Sequence, residues 1–263
     1  MTTTMPVEAS AGARAGARLG LAARGVIYLL VGILAAALAV RGHGQHADQK
    51  GAITDLASKP FGAVLVWAIA IGLAAYALWQ LSQVLTGVVG EEDSAGHRLR
   101  SLVSALVYAG LTVSAFTVLA GARKSQSSQQ SSLTAKVMQH TGGRWLIAVV
   151  GLVIIGVGVG LVVQGVRASF MKRFQGLYGR TRDVVRRVGQ IGTAARGIVF
   201  GLAGALVVSA AWSFDPKRAR GIDGAFRTLL EQPYGRWLTG LAALGLVAFG
   251  LFGLAEAKYR KVS

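Results

Sequence analysis

One passage is written twice in this chain: "LAARGVIYLLVGILAAALAV" from Leu21 and "TAARGIVFGLAGALVVSAAW" from Thr193. Each copy begins Ala-Ala-Arg-Gly, continues as an uncharged apolar run and is followed by a second such run that also recurs. A hydrophobic hairpin used repeatedly dictates a polytopic membrane protein assembled from copies of one unit.

Six stretches reach the ~20 apolar residues needed to cross a bilayer. They lie near residues 19–40, 61–82, 101–121, 144–165, 191–212 and 235–255. The second spans carry the repeat most clearly. Pro60-Phe61-Gly62-Ala63-Val64-Leu65 corresponds to Pro233-Tyr234-Gly235-Arg236-Trp237-Leu238, and Gly143-Arg144-Trp145-Leu146 is the middle copy. Upstream, Gly51, Ala52 and Leu56 align with Gly224, Ala225 and Leu229, with Val137 in the middle copy. The middle unit is degenerate: aligning Tyr28 and Phe200 with Tyr108 puts Ser104 and Ala105 where the outer units have Arg24-Gly25 and Arg196-Gly197. Composition agrees, at 53% hydrophobic and 15% charged residues with 36 glycines, too apolar for a soluble domain of this size.

The expected fold is all-α and integral to the membrane: six transmembrane helices forming three parallel-repeat hairpins about a pseudo-threefold axis along the membrane normal. The expected divisions are a cytoplasmic tail (1–17), hairpin one (18–83), hairpin two (84–166), a basic amphipathic linker (167–190), hairpin three (191–257) and a basic tail (258–263). No removable signal peptide is read in the first twenty residues. A short amphipathic segment is expected outside each second helix, marked by Ile53 and Leu56, by Leu133, Val137 and Met138, and by Ile222, Phe226, Leu229 and Leu230. The stretch "KSQSSQQSSLTAK" from Lys124 reads as a flexible polar loop.

Lysines and arginines number 16 on the side of both termini and 12 on the other, which places the termini in the cytoplasm. The linker holds much of the net charge of +17. There Phe170, Phe174, Leu177, Val184 and Val188 fall near helical spacing among Lys172, Arg173, Arg180, Arg182, Arg186 and Arg187, with Gly176 and Gly179 as the places where such a helix would break in two. Such a surface suits anionic lipid headgroups. Nucleic acid is not an expected partner, because no recognition motif accompanies the charge. Trp145, Trp212 and Trp237 at outer helix ends and Trp79 at an inner end form an interfacial belt, with Trp67 deeper.

Glycines four apart, Gly156 with Gly160 and Gly197 with Gly201, together with Gly245, Gly250 and Gly253, predict close packing inside the bundle. Arg24 and Arg196 each stand about one turn inside the cytoplasmic end of a span, where snorkelling to the headgroups is the simplest role. The alternative is a polar cluster with Gln80, Gln83, Gln164 and Glu256, pairing Arg196 with Glu256 and Arg24 with Gln83. No acid lies mid-span, which argues against ion-coupled transport.

Enzyme chemistry finds little support. Cysteine is absent, which removes thiolate nucleophiles and thiolate metal sites. His43, His46 and Asp48 have a metal-like spacing but lack a further ligand. Gly156-Val157-Gly158-Val159-Gly160 lies within an apolar span, not after a strand. No metal, cofactor or catalytic residue is assigned.

The Ala-Arg-Gly-(Val/Ile)-(Ile/Val)-(Tyr/Phe) start, paired with Gly-Arg-Trp-Leu before a glycine-rich helix, resembles the bacterial membrane family known as domain of unknown function 1206. That resemblance runs from about Arg18 to Lys258 and implies three tandem two-helix units in the cytoplasmic membrane, with no reaction or substrate attached. The functional expectation is a structural or interaction module of the membrane, not an enzyme. The alternative is a small-solute channel or transporter with a path along the axis.

Overall fold

The computed structural model describes residues 11–42, 46–86, 95–121 and 126–260. In chain order the helices are α1 (Ala11–Arg41), α2 (Gln49–Ala57), α3 (Gly62–Thr86), α4 (Ala95–Leu119), α5 (Gln126–Met138), α6 (Gly143–Arg167), α7 (Gly179–Trp212), α8 (Gly221–Leu230) and α9 (Gly235–Tyr259). Short 3₁₀ turns cover Ser169–Arg173 and Pro216–Arg218. Six of the helices are long and apolar enough to span a membrane. Helix is the form that satisfies each segment's backbone without water.

Each repeat is a long helix, a short helix and a second long helix, and the tight corner before the second long helix explains the glycine that starts it. Phe61, Gly142 and Tyr234 hold left-handed φ values of 59°, 81° and 59°. The next residue is glycine each time, because a Cβ there would lie 1.9 Å from the Leu56 carbonyl oxygen, 1.8 Å from that of Val137 and 2.3 Å from that of Leu230. No side chain fits such an approach.

The tightest packing lies between repeats: α9 packs on α1, α6 on α7 and α3 on α4. Two of these seams are glycine on glycine. A Cβ on Gly25 would meet the Gly250 carbonyl oxygen at 2.9 Å, and one on Gly197 would meet that of Gly158 at 2.6 Å. The third seam has Ala105 and Ala77 at the equivalent positions, both buried. Gly151, Gly158 and Gly165, seven apart, are the glycines of α6 whose added Cβ would strike α7, whereas a Cβ on Gly156 or Gly160 would meet nothing within 4 Å. The four-residue glycine spacing therefore misidentified the packed face of α6; a seven-residue repeat tracks an antiparallel seam.

Within repeats the hairpins differ. In the outer two the legs meet through Gly20 and Gly72 and through Gly192 and Gly245, where a Cβ would come within 2.9 Å of the facing helix. The middle repeat has Arg100 and Val153 in those places, and α4 and α6 form no packed seam. The helices follow the order α4, α3, α1, α9, α7, α6 around a ring left open inside repeat two. The two flanks of the opening are the least buried of the six candidate spans, at 17% each.

Two more expectations change. The polar stretch after Lys124 is a helix from Gln126, held against α6 and α8 with Thr134 buried; polarity alone had read it as a loop. The basic linker changes in register, while its break falls at the two glycines that the sequence marks for it. Phe170 and Phe174 pack on Phe252, at ring-centroid distances of 4.7 and 5.6 Å. Left-handed Gly176 and Gly179 then break the chain, and Arg180 to Arg187 form the first turns of α7. Val185 is the buried valine there and Val184 is exposed, because the register follows the membrane helix that α7 becomes.

Candidate functional site

Five of the six long helices send a side chain to one central cluster. Arg24 of α1 forms a buried ion pair with Glu256 of α9, and its Nη1 donates to the Tyr76 hydroxyl of α3 at 3.3 Å. Arg260 reaches the other Glu256 oxygen at 3.4 Å and lies 5.0 Å from the Trp79 ring centroid. Tyr108 of α4 meets Tyr76 edge to face at 4.5 Å, and Tyr28 meets Phe249 of α9 at 4.8 Å. Arg196 of α7 completes the cluster without a carboxylate partner among the described residues. Its guanidinium lies 5.0, 5.0 and 4.8 Å from the ring centroids of Tyr28, Phe200 and Phe249, an aromatic cage that stabilises a cation by ring quadrupoles.

The pairing guessed from sequence is thus exchanged: Glu256 belongs to Arg24, not Arg196, and Arg24 is not joined to Gln83. The cause is the seam between repeats, since α9 closes on α1 and carries Glu256 to the first arginine. Snorkelling fails for Arg24, which is 8% exposed beside a 4% exposed Glu256, while Arg196 is half-buried. Gln80 and Gln83 are both buried near the same end of α3, and Gln80 Oε1 has no hydrogen-bond partner. The aromatic members were missed, although the repeat register marked them: Tyr76 and Trp79 occupy the positions of Phe249 and Phe252. The middle unit has Val157 and Gly160 there, and its second helix, α6, is the long helix that sends no side chain to the cluster.

The candidate lipid contacts Lys172, Arg180, Arg182, Arg186 and Arg187 are exposed, and Arg173 is half-buried. They are split between the 3₁₀ turn and the start of α7.

At the end of the bundle opposite the chain termini the three short helices meet. Asp223 of α8, 1% exposed, pairs with His46 Nδ1 at 2.8 Å, and accepts from the Ala47 N–H at 3.0 Å and from Arg227 Nε at 3.0 Å. Burial pushes this carboxyl up, but the hydrogen bonds from His46, Arg227 and Ala47 outweigh it and hold Asp223 below the ordinary range. Asp48 caps α2 through the Gly51 N–H at 2.8 Å, yet its Oδ2 is buried without a partner. Burial raises its pKa to about 6. The neighbouring Gln49 Oε1 and Lys50 Nζ are likewise buried and unpartnered, and burial pushes Lys50 down. His46 and Asp48 are therefore engaged separately, and His43 lies outside the described residues. Among the described residues no three His, Asp or Glu side chains gather as metal ligands.

An uncharacterized protein of Bacillus subtilis (strain 168), YxxB, is 30% identical over 251 residues, covering 94% of this chain and 90% of that protein. No solved structure matches the chain. The family model described as Domain of Unknown Function (DUF1206) matches three times in tandem, at residues 19–87, 100–168 and 191–260. The breaks between matches fall between the structural repeats, and the chain belongs to that family.

Proposed function

We propose that this protein is a non-enzymatic structural or interaction module of the bacterial cytoplasmic membrane, with both termini in the cytoplasm. One observation carries the reading: side chains from five of the six long helices converge on the Arg24–Glu256 pair and the rings of Tyr28, Tyr76, Tyr108 and Phe249. A solute path between these helices would have to pass this buried pair and its packed rings. The polar cluster of Arg24, Gln80, Gln83, Arg196 and Glu256 then serves to fix how the repeats assemble. A buried ion pair is a weak source of net stability and a better source of registry.

The cations Lys172, Arg173, Arg180, Arg182, Arg186 and Arg187 are the proposed contact with anionic headgroups on the cytoplasmic side, at about 1 kcal/mol each. Exposure of most of them beside a candidate span supports this.

A chain without cysteine suits single-cysteine labelling. A cysteine replacing Tyr108 should resist a membrane-impermeant maleimide applied to either side; rapid labelling would establish the channel alternative instead. A cysteine at Ser263 should label only after the cytoplasmic face is opened. Affinity purification from the native membrane should recover protein partners of the module.

A further inference from the structure

The junction of the three repeats opposite the termini holds a small polar cavity that the central cluster does not use. It measures about 280 Å³ and is lined by His46, Ser128, Ser131, Lys217, Arg220, Asp223 and Arg227. Every repeat contributes: His46 precedes α2, the two serines are on α5, Lys217 is in the 3₁₀ turn, Arg220 caps the start of α8, and Asp223 and Arg227 are on α8. Three permanent cations face one carboxylate, and that carboxylate is already covered by His46, Arg227 and the Ala47 N–H. Asp223 thus acts as a fixed strut that aims the His46 ring and the Arg227 guanidinium, and it leaves the cavity electropositive.

We infer that this junction binds an oxyanion of the phosphate class. The lining discriminates against the alternatives. A metal cation would find a single carboxylate whose oxygens are engaged, and an apolar ligand would find hydroxyls and cations. A phosphate group needs what is present, namely planar guanidinium donors, an ammonium and hydroxyl groups converging on one small space. The volume lies just below the ~300–1,000 Å³ of drug-sized ligand sites, which suits an oxyanion with its waters. Arg220 Nε donates to the Lys217 carbonyl at 2.9 Å, so both rim cations belong to one turn. That turn is fixed by Asp215, whose side chain accepts from the Lys217 N–H at 3.0 Å. The phosphate could be free in solution or belong to a lipid headgroup of the outer leaflet.

The test uses the full chain in nanodiscs of phosphatidylcholine, with inorganic phosphate as probe and binding read by calorimetry at constant ionic strength. Phosphate should bind, and the exposed pair K217Q/R220Q should weaken it at least tenfold while leaving the phosphate-free melting temperature unchanged. R14Q/R18Q removes the same charge from two exposed arginines at the other end and should bind as the parent does. Absence of binding by the parent, or equal loss in both double variants, overturns the proposal. Nanodiscs containing phosphatidylglycerol distinguish the sources: competition with phosphate identifies the lipid headgroup, and undiminished phosphate binding identifies the soluble anion. Failure here leaves the structural-module reading intact, because that reading rests on the central cluster and its cysteine labelling.

Discussion

Arg24 and Arg196 hold the same place in repeats one and three, yet one is neutralised by a carboxylate and the other by aromatic faces. The difference is made on the facing helix. The position that is Glu256 in the third repeat is Gln83 in the first and Gln164 in the second, and each repeat's second helix packs on the next repeat's first. The lone acid therefore serves Arg24, Gln164 is the register counterpart for Arg196, and Gln83 is that for Ser104. Near-identical sequence in two repeats yields different chemistry because each arginine reads its neighbour's sequence. The end opposite the termini repeats the contrast between satisfied and unsatisfied buried charge, with Asp223 covered by three donors and Asp48 left with a bare oxygen.

The sharpest way to break this comparison is E256A, which leaves Arg24 buried without its partner. Thermal unfolding in detergent should show a loss of about 3–5 kcal/mol. The double change R24M/E256L should recover most of it, and a loss below about 1 kcal/mol for E256A would dissolve the distinction between the two arginines.

The glycine seams give the next effect. G250A drives a methyl into the Leu29 side chain and the Gly25 carbonyl, 2.6 and 2.8 Å away, and should cost about 1–3 kcal/mol. G156A on the open face of α6 should stay within about 0.5 kcal/mol. Equal effects would mean that α6 is covered on that face.

Asp48 extends the comparison to pH. A carboxyl raised to about 6 in the fold binds a proton more readily folded than unfolded, so its contribution is present at low pH and is lost as pH rises through 6. The parent should gain about 1 kcal/mol between pH 8 and pH 5 from this group. D48N should lack that gain while keeping a capable helix cap. An identical pH slope in both proteins would show that Asp48 finds a partner.

The smallest effect belongs to R196M, at about 1 kcal/mol or less. Lost ring contacts, about 0.5–1 kcal/mol each, are offset by the relief of a buried guanidinium whose Nε has no partner. A loss as large as that of E256A would reveal an ion-pair partner for Arg196.

Much of the architecture was legible in the residues. The twice-written Ala-Ala-Arg-Gly passage and the Gly-Arg-Trp-Leu corner determined six spans in three units, since spans are read from local apolar length and the corner glycine from a single close backbone approach. The short helices α2 and α8 were also marked by their apolar spacing, whereas α5, which buries Thr134 and exposes Leu133, was not. Local patterns could not say which long helix touches which. Glycine spacing on α6 pointed to the wrong face, and Val184 of the basic linker is exposed where Val185 and Val188 pack, because both depend on the neighbouring helix.

Sequence alone thus determined the kind of molecule and the number of its parts, through hydrophobicity and backbone sterics that act within a few residues. Tertiary structure decided the partnerships. It closed α9 onto α1 and gave Glu256 to Arg24. It caged Arg196 in rings from α1, α7 and α9, left the ring open between α4 and α6, and gathered seven side chains from three repeats into one electropositive cavity. Ion pairs and cavities depend on distances between residues far apart in the chain, and those distances are set only when the seams close.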